Sequence, residues 1–227
     1  MRYELLKPED YRRARDKAPI AYLPWGSHEW HGLHNPLGLD ALKAHAMCMA
    51  LCAETGGIVF PPVYCGHSTM KPHAGFDSTL EFTRECVELL ATEYLRQLAD
   101  ERFKVIVILM GHYGLAHQTA LREVVSDFNE SQDDVIAWTF PDCEPTEAEG
   151  FPGDHAGRTE TSYMIYFYPE LVDLARLPED AELDMKKHGV GGIDPREASA
   201  KRGRDGLNVL VKNAAPKILE LLEQKKA

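Results

Sequence analysis

The stretch VIVILM, Val105 to Met110, is apolar at every position and runs directly into GHYG, Gly111 to Gly114. A strand with one wet face alternates apolar and polar residues; a strand covered on both faces does not. VIVILM therefore reads as a central strand. Runs rich in Val, Ile, Leu or aromatic residues recur at Ile20 to Leu23, Gly57 to Phe60 and Val135 to Phe140, each closed by Gly or Pro. Helical spacing of apolar residues occupies Leu42 to Glu54, Leu80 to Glu101 and Ala116 to Phe128. Strands alternating with helices of that length predict βαβ units, hence an α/β fold with a mainly parallel sheet covered on both faces. Thr159 to Tyr168 and Leu207 to Leu222 also read as helices, with Pro216 expected to interrupt or restart the second. Pro141 to Gly153 reads as a long loop of the kind that often carries function. No linker divides the chain, so residues 1–227 are expected to form a single domain.

The formal net charge of -11 excludes nucleic acid as the main partner, because phosphate binding needs clustered Lys and Arg. The basic runs Arg12 to Arg15 and Lys201 to Arg204 are short and read as solvated helix faces. No apolar stretch is long enough to span a bilayer and no charged leader precedes an apolar core, so a cytoplasmic location without membrane partners is the expectation. The five cysteines are odd in number and contain no C-x-x-C pair. Cys48 and Cys52, four apart in an apolar helical run, are expected as buried thiols.

Ligands of open α/β sheets bind outside the carboxyl ends of the strands. The segments there are GSHEWHG, GHYGLAH and PDCEPTEAEGFPGDHAGRTE, all rich in His, Asp or Glu. Glu29 and His31 are separated by one residue, so in an extended segment they point to the same side. Asp40 precedes a helix expected to start near Ala41, where it can serve as an N-cap or as a ligand. His112 sits where the central strand turns into a helix. A lone histidine there is commonly structural. With Glu29, His31 and Asp40 it completes a mixed N/O set suited to zinc, manganese or iron. In DHAGRTETS, Asp154, His155 and Glu160 bring acid, base and carboxylate together; the plainer reading makes Asp154 or Thr159 a helix cap and His155 a surface residue.

These segments carry a resemblance. LPWGSHEWHGLHNPLGLD resembles the creatininase family signature, roughly LPxGSxEQHGPHLPLGTD; GHYG resembles its GHGGN or GHYEN segment, DHAGRTETS its HAGxxETS segment, and GGIDPREASAKRGRDGL its late GDPxxAsxexG segment. The matches follow the family order over nearly the whole chain. The resemblance implies a three-layer α/β/α sandwich, assembly into a homo-oligomer, usually a hexamer, and one or two divalent ions (Zn, Mn or Fe). Position by position, Glu29, His31, Asp40 and His112 match metal ligands, with Asp40 bridging two ions. Tyr113 matches a tyrosine that contacts substrate, and His155 a histidine of substrate binding and proton transfer. His34 matches a signature histidine and is expected to support the ligands from behind; His28 falls at a variable position and is expected to line the pocket.

Two departures stand out. The family's carboxylate ligand two residues after the GHY histidine is Gly114 here, followed by Leu115 in place of Asn. Glu160 is the candidate to compensate, as ligand or as base. CGHSTMKPHAGFDST lacks the family's FPGT pattern, leaving Ser68 and His73, with Asp154, as expected substrate contacts. The expected activity is metal-dependent hydrolysis of a C–N bond in a small amide, lactam or cyclic amidine, with Glu160 steering the water proton and His155 protonating the leaving nitrogen. The alternatives are a related metal-dependent hydrolase (a formamide deformylase or a hydrolase of cyclic polyol-derived ketones) and a metal-binding member without turnover.

Overall fold

In the computed structural model, which describes residues 1–179 and 182–225, Val105–Met110 is buried throughout and paired with a strand on each side. The regular elements along the chain are α1 (Pro8–Lys17), β1 (Ile20–Gly26), α2 (Leu39–Thr55), β2 (Ile58–Val59), β3 (Val63–Tyr64), α3 (Met70–Ala74), α4 (Arg84–Asp100), β4 (Val105–Met110), α5 (Leu115–Glu130), β5 (Ile136–Pro141), α6 (Arg158–Phe167) and α7 (Ala200–Gln224). The sheet order is β2-β1-β4-β5, with β3 paired to the carboxyl end of β1, and every pairing is parallel. In register, Tyr22 lies beside Val107, which lies beside Trp138.

Two apolar layers explain why β4 shows no alternation. Ile106, Ile108 and Met110, with Ala21, Leu23 and Trp25 of β1, face α4 and α5 through Val87, Leu95, Leu121 and Phe128. Val105, Val107 and Leu109, with Ile20 and Tyr22, face α2, α6 and α7 through Met47, Leu51, Tyr163, Leu210 and Ile218. Each such side chain, fully buried, contributes on the order of 1.5–3 kcal/mol. The result is the expected α/β/α sandwich with a parallel central sheet.

Several boundaries differ from those expected. The helix placed over 80–101 begins at Arg84, because Thr83 caps it by accepting the amide of Cys86 and because the amides of Leu80 and Phe82 are bonded to the carbonyls of His28 and Gly66. β3 is too short for a periodicity to show. Pro216 does not interrupt the last helix, which runs unbroken from a Ser199 cap. Pro216 and Lys212 lie on the exposed face, so the carbonyl four residues before the proline can turn to water. Asp40 is not an N-cap: α2 starts at Leu39 behind Gly38. Of the basic runs, Arg15 is buried rather than solvated; it pairs with Asp16 and donates to the carbonyl of Glu101. The cysteines are free thiols, Cys48 and Cys52 among the buried ones. No helix among the described residues is long and apolar enough to cross a membrane.

Candidate metal centre

The segments after β1 and β4 and the first turns of α2 and α6 meet at one point. Gly26 closes β1 and Gly111 follows β4, and both let the start of α2 sit against the strand ends: a Cβ on Gly26 would lie 2.3 Å from the Ala41 amide nitrogen, and one on Gly111 would lie 2.1 Å from the Asp40 carbonyl oxygen. That close approach puts Asp40, in the first turn of α2, between Glu29 and His31 from the segment after β1 and His112 from the segment after β4. Glu160, in the first turn of α6, approaches from the other side.

Hydrogen bonds fix the two histidines in complementary senses. His112 Nε2 lies 2.9 Å from the His67 carbonyl, so its Nδ1 faces Glu29 Oε2 at 2.9 Å and Asp40 Oδ2 at 3.2 Å. His31 Nδ1 lies 3.0 Å from the Glu29 carbonyl, so its Nε2 faces Asp40 Oδ1 at 3.0 Å and Glu160 Oε2 at 3.7 Å. With the carbonyl-bonded nitrogens carrying hydrogen, both remaining lone pairs point at carboxylate oxygens. Such an arrangement needs a cation between them, a proton or a metal ion. Protons are held tightly: burial favours neutral imidazole, yet the surrounding carboxylates outweigh it, raising His31 to about 9 and His112 well above its usual value.

The donor set suits divalent ions. The ligand atoms of Glu29, Asp40 and His112 lie within 4.8 Å of one another, as do those of His31, Asp40 and Glu160, and those of Glu29, His31 and His155. Asp40 belongs to two groups and offers a different oxygen to each histidine. His31 Nε2 is buried and faces only carboxylate oxygens, Asp40 Oδ1 and Glu160 Oε2, which fits a ligand atom.

A cavity of about 600 Å³ opens onto Glu29, His112 and His155. Tyr113, Ser68, His73 and Asp154 line it, as expected, together with Met70, Cys143, Glu147 and Met185. Tyr113 presents its ring, because its hydroxyl donates to Asp142 and accepts from Lys43. His155 is held away from the surface by Trp30, whose carbonyl lies 2.8 Å from its Nε2, and by paired backbone bonds to Gly191 in the late GGIDP segment. Burial and the neighbouring His31 lower its pKa. Asp154 lines the cavity and also accepts the amides of Thr159 and Glu160, so it does the work of a cap, while Thr159 does not.

Gly114 is more than a lost carboxylate. A Cβ there would lie 2.6 Å from the Ser68 carbonyl oxygen and 2.7 Å from His112 Nε2, so the 67–68 backbone occupies the space a side chain needs. His28 does not line the cavity; its ring stacks on Tyr64 at 4.5 Å. His34 sits behind the ligands, its Nε2 3.1 Å from the Ala156 carbonyl and 3.1 Å from Thr161 Oγ1, tying the segment after β1 to the start of α6.

Burial lowers His34 to about 4 against an ordinary value of 6.5. Its contribution is therefore complete above about pH 6.5 and is lost as pH falls through 4, amounting to about 3 kcal/mol. Urea unfolding should show wild type losing stability across that window more steeply than His34→Gln; parallel pH profiles would refute the assignment.

Lys43 and Asp142 were not expected at the site. Lys43 Nζ is buried, 2.6 Å from Glu160 Oε1 and 3.1 Å from Asp142 Oδ2. Asp142 lies in the segment after β5, where the strand-end rule already pointed; Lys43 gives itself away only as a charge three residues after Asp40 in an otherwise apolar stretch of helix.

Residues 4–218 match the family model of creatininase, described as creatinine amidohydrolase. The creatinine amidohydrolase of Pseudomonas putida is 27% identical, over 88% of this chain and 89% of that protein. The mycofactocin precursor peptide peptidase of Mycolicibacterium smegmatis is 28% identical, over 91% of this chain and 87% of that protein. A solved structure described as creatininase Mn superposes with a TM-score of 0.79 at 23% identity, over 96% of this chain and 97% of that one, which supports the same fold. With its signature segments folded around one strand-end site and its sequence matched almost from end to end, the chain belongs to the creatininase family.

Proposed function

We propose that the protein is a metal-dependent hydrolase of amide C–N bonds, holding one divalent ion by Glu29, Asp40 and His112 and a second by His31, Asp40 and Glu160. The observation that carries this reading is the pair of imidazole lone pairs aimed at carboxylates, with Asp40 shared between them. Zinc, manganese and iron all accept such donors. Ions bound there supply a water of lowered pKa and polarise the substrate carbonyl. Glu160 serves as ligand and not as proton carrier, because Oε1 is held by Lys43, Oε2 accepts the Ala156 amide, and the side chain is fully buried. Proton transfer falls to His155 on the cavity wall, which is neutral and free to take up a proton at Nδ1 and release it to the leaving nitrogen. A site that merely braces the fold would be closed; this one opens into a cavity, which favours turnover over metal storage.

The cavity, at about 600 Å³, is open to solvent on one side. A cavity of that size can take a small cyclic amide or an amide with an extended flanking group, and the peptidase activity named for the Mycolicibacterium relative makes a short peptide the second reading. A panel of lactams, acyl amides, formamides, short peptides and polyol-derived ketones, assayed after chelation and after reloading with Zn or Mn, tests both. C–N cleavage should vanish with the metal and return with it, and His155→Ala should lower kcat roughly 10²-fold, at the lower end for loss of a general acid–base. Cleavage that persists after complete metal removal, or turnover of the ketones alone, would defeat the proposal.

A further inference from the structure

Cys65 and Cys86 are 21 positions apart in sequence, yet their sulfurs lie 4.0 Å apart. Cys65 follows β3 directly, is 4% exposed and belongs to the apolar layer against α4 and α5. Cys86, in the first turn of α4, is exposed. One thiol of the pair is therefore open to solvent and the other waits beneath it.

Between the two cysteines the chain leaves the sheet, forms α3 and returns to α4. This excursion supplies Ser68, Thr69, Met70 and His73 to the cavity wall. Hydrogen bonds close its neck: the Phe82 amide donates to the Gly66 carbonyl at 2.9 Å, and Glu81 accepts the amides of Ser68 and Thr69, each at 2.8 Å. The thiols stand at the sheet end of that neck, where a covalent bond would turn the excursion into a closed ring. A sulfur–sulfur bond needs an approach of about 2 Å from the present separation, and Cys86, being exposed, is free to turn.

We propose that Cys65 and Cys86 are a peroxide-reactive dithiol that closes to a disulfide and braces the 66–82 excursion walling the cavity.

Cys86 reacts first, because it is the thiol an oxidant can reach, while burial and the neighbouring Cys86 push the Cys65 thiol up to about 12. Cys86 gives up its proton and its sulfur attacks one oxygen of hydrogen peroxide. The O–O bond breaks, the departing hydroxide leaves as water with that proton, and Cys86 becomes a sulfenic acid. Cys65 Sγ then attacks Cys86 Sγ, the S–O bond breaks, and the second hydroxide leaves as water with the Cys65 proton. The two thiols together lose two electrons and two protons, and one peroxide becomes two waters.

Reduced wild-type protein is treated with hydrogen peroxide, blocked with iodoacetamide and digested without reductant by a protease that cuts after glutamate. Cuts after Glu54 and Glu85 separate Cys65 from Cys48 and Cys52, and Cys86 from Cys65. The Cys65 and Cys86 peptides should appear joined, two hydrogens lighter than their sum, and dithiothreitol should restore both thiols. Amide hydrogen exchange over 66–82 should slow by roughly tenfold in the joined form, because the ring restricts the opened states of that segment. In Cys65→Ser the same treatment should carry Cys86 on to sulfinic acid, and in Cys86→Ser the buried Cys65 should remain a thiol. Wild type in which Cys86 is oxidised past sulfenic acid while Cys65 stays a thiol, in which Cys86 joins another cysteine, or in which neither reacts overturns the proposal. Unchanged exchange over 66–82 in the joined form overturns the bracing role. Peptide mapping of wild type decides the matter even where Cys65→Ser fails to fold.

Discussion

Asp40→Asn is expected to retain the fold, to bind neither ion with useful affinity, and to lose at least roughly 10⁴-fold in activity, because water bound to a metal ionises near pH 7 while free water does so at about 15.7. The change is nearly isosteric. Asp40 is 1% exposed, and its carboxylate reaches His31 through one oxygen and His112 through the other. An amide can offer only one acceptor oxygen and brings an NH₂ group to the other side, so at least one histidine faces a donor where it needs an anion. The loss extends past the ligand count: with the shared negative charge gone, three carboxylate ligands become two across both positions. Elemental analysis of the purified variant, circular dichroism and the rate on any substrate found for wild type check the outcome together. A folded Asp40→Asn carrying two ions would remove Asp40 from its bridging role.

Gly111→Ala is the second substitution from which a large effect is expected, and for a different reason. Its backbone dihedrals are not in the left-handed region, so the glycine is required by proximity. The added methyl would stand 2.1 Å from the Asp40 carbonyl oxygen and 2.8 Å from the Asp40 carbonyl carbon. Both are backbone atoms at the start of a helix of 17 residues packed into the core, so no side chain can swing aside. Overpacking of buried positions costs about 1–3 kcal/mol, and backbone contact puts this case at about 3 kcal/mol or above. Whatever shift relieves the clash moves Asp40 relative to His112, one residue along from the substituted glycine. Urea unfolding and metal content measured on the same preparation should fall together; a variant within 1 kcal/mol of wild type that still holds its ions would show that α2 can retreat without disturbing the site.

Much of the site was legible in the sequence because strand ends and signature residues coincide. VIVILM marked the centre of the sheet, and Glu29, His31, Asp40, His112 and Glu160 come together where the strand-end rule puts them. What escaped did so for physical reasons. Lys43 looks like a polar position on an amphipathic helix, since nothing local says that its charge is matched by Asp142 and Glu160 from distant segments. Asp142 was inside a segment already singled out, but its partner was not known. His28 shares the histidine-rich stretch, yet it turns to Tyr64, because successive side chains of an extended segment leave on opposite sides. Pro216 misled because its cost depends on whether the freed carbonyl meets water, which is a tertiary fact. The shift of α4 from Leu80 to Arg84 likewise depended on backbone bonds to His28 and Gly66.

The division of labour between stiff and irregular parts of the chain bears on how such a protein changes over generations. The atoms that would grip the ions come from the strand-end segments and from the first turns of α2 and α6, all anchored in the packed layers. The cavity wall comes largely from elsewhere: the 68–73 segment, the 143–155 segment and Met185. Insertions or replacements in those segments can reshape what is admitted while the gripping atoms keep their spacing. Selection can then try new substrates without first dismantling the chemistry, and a lineage need not pass through an inert ancestor to acquire a new one.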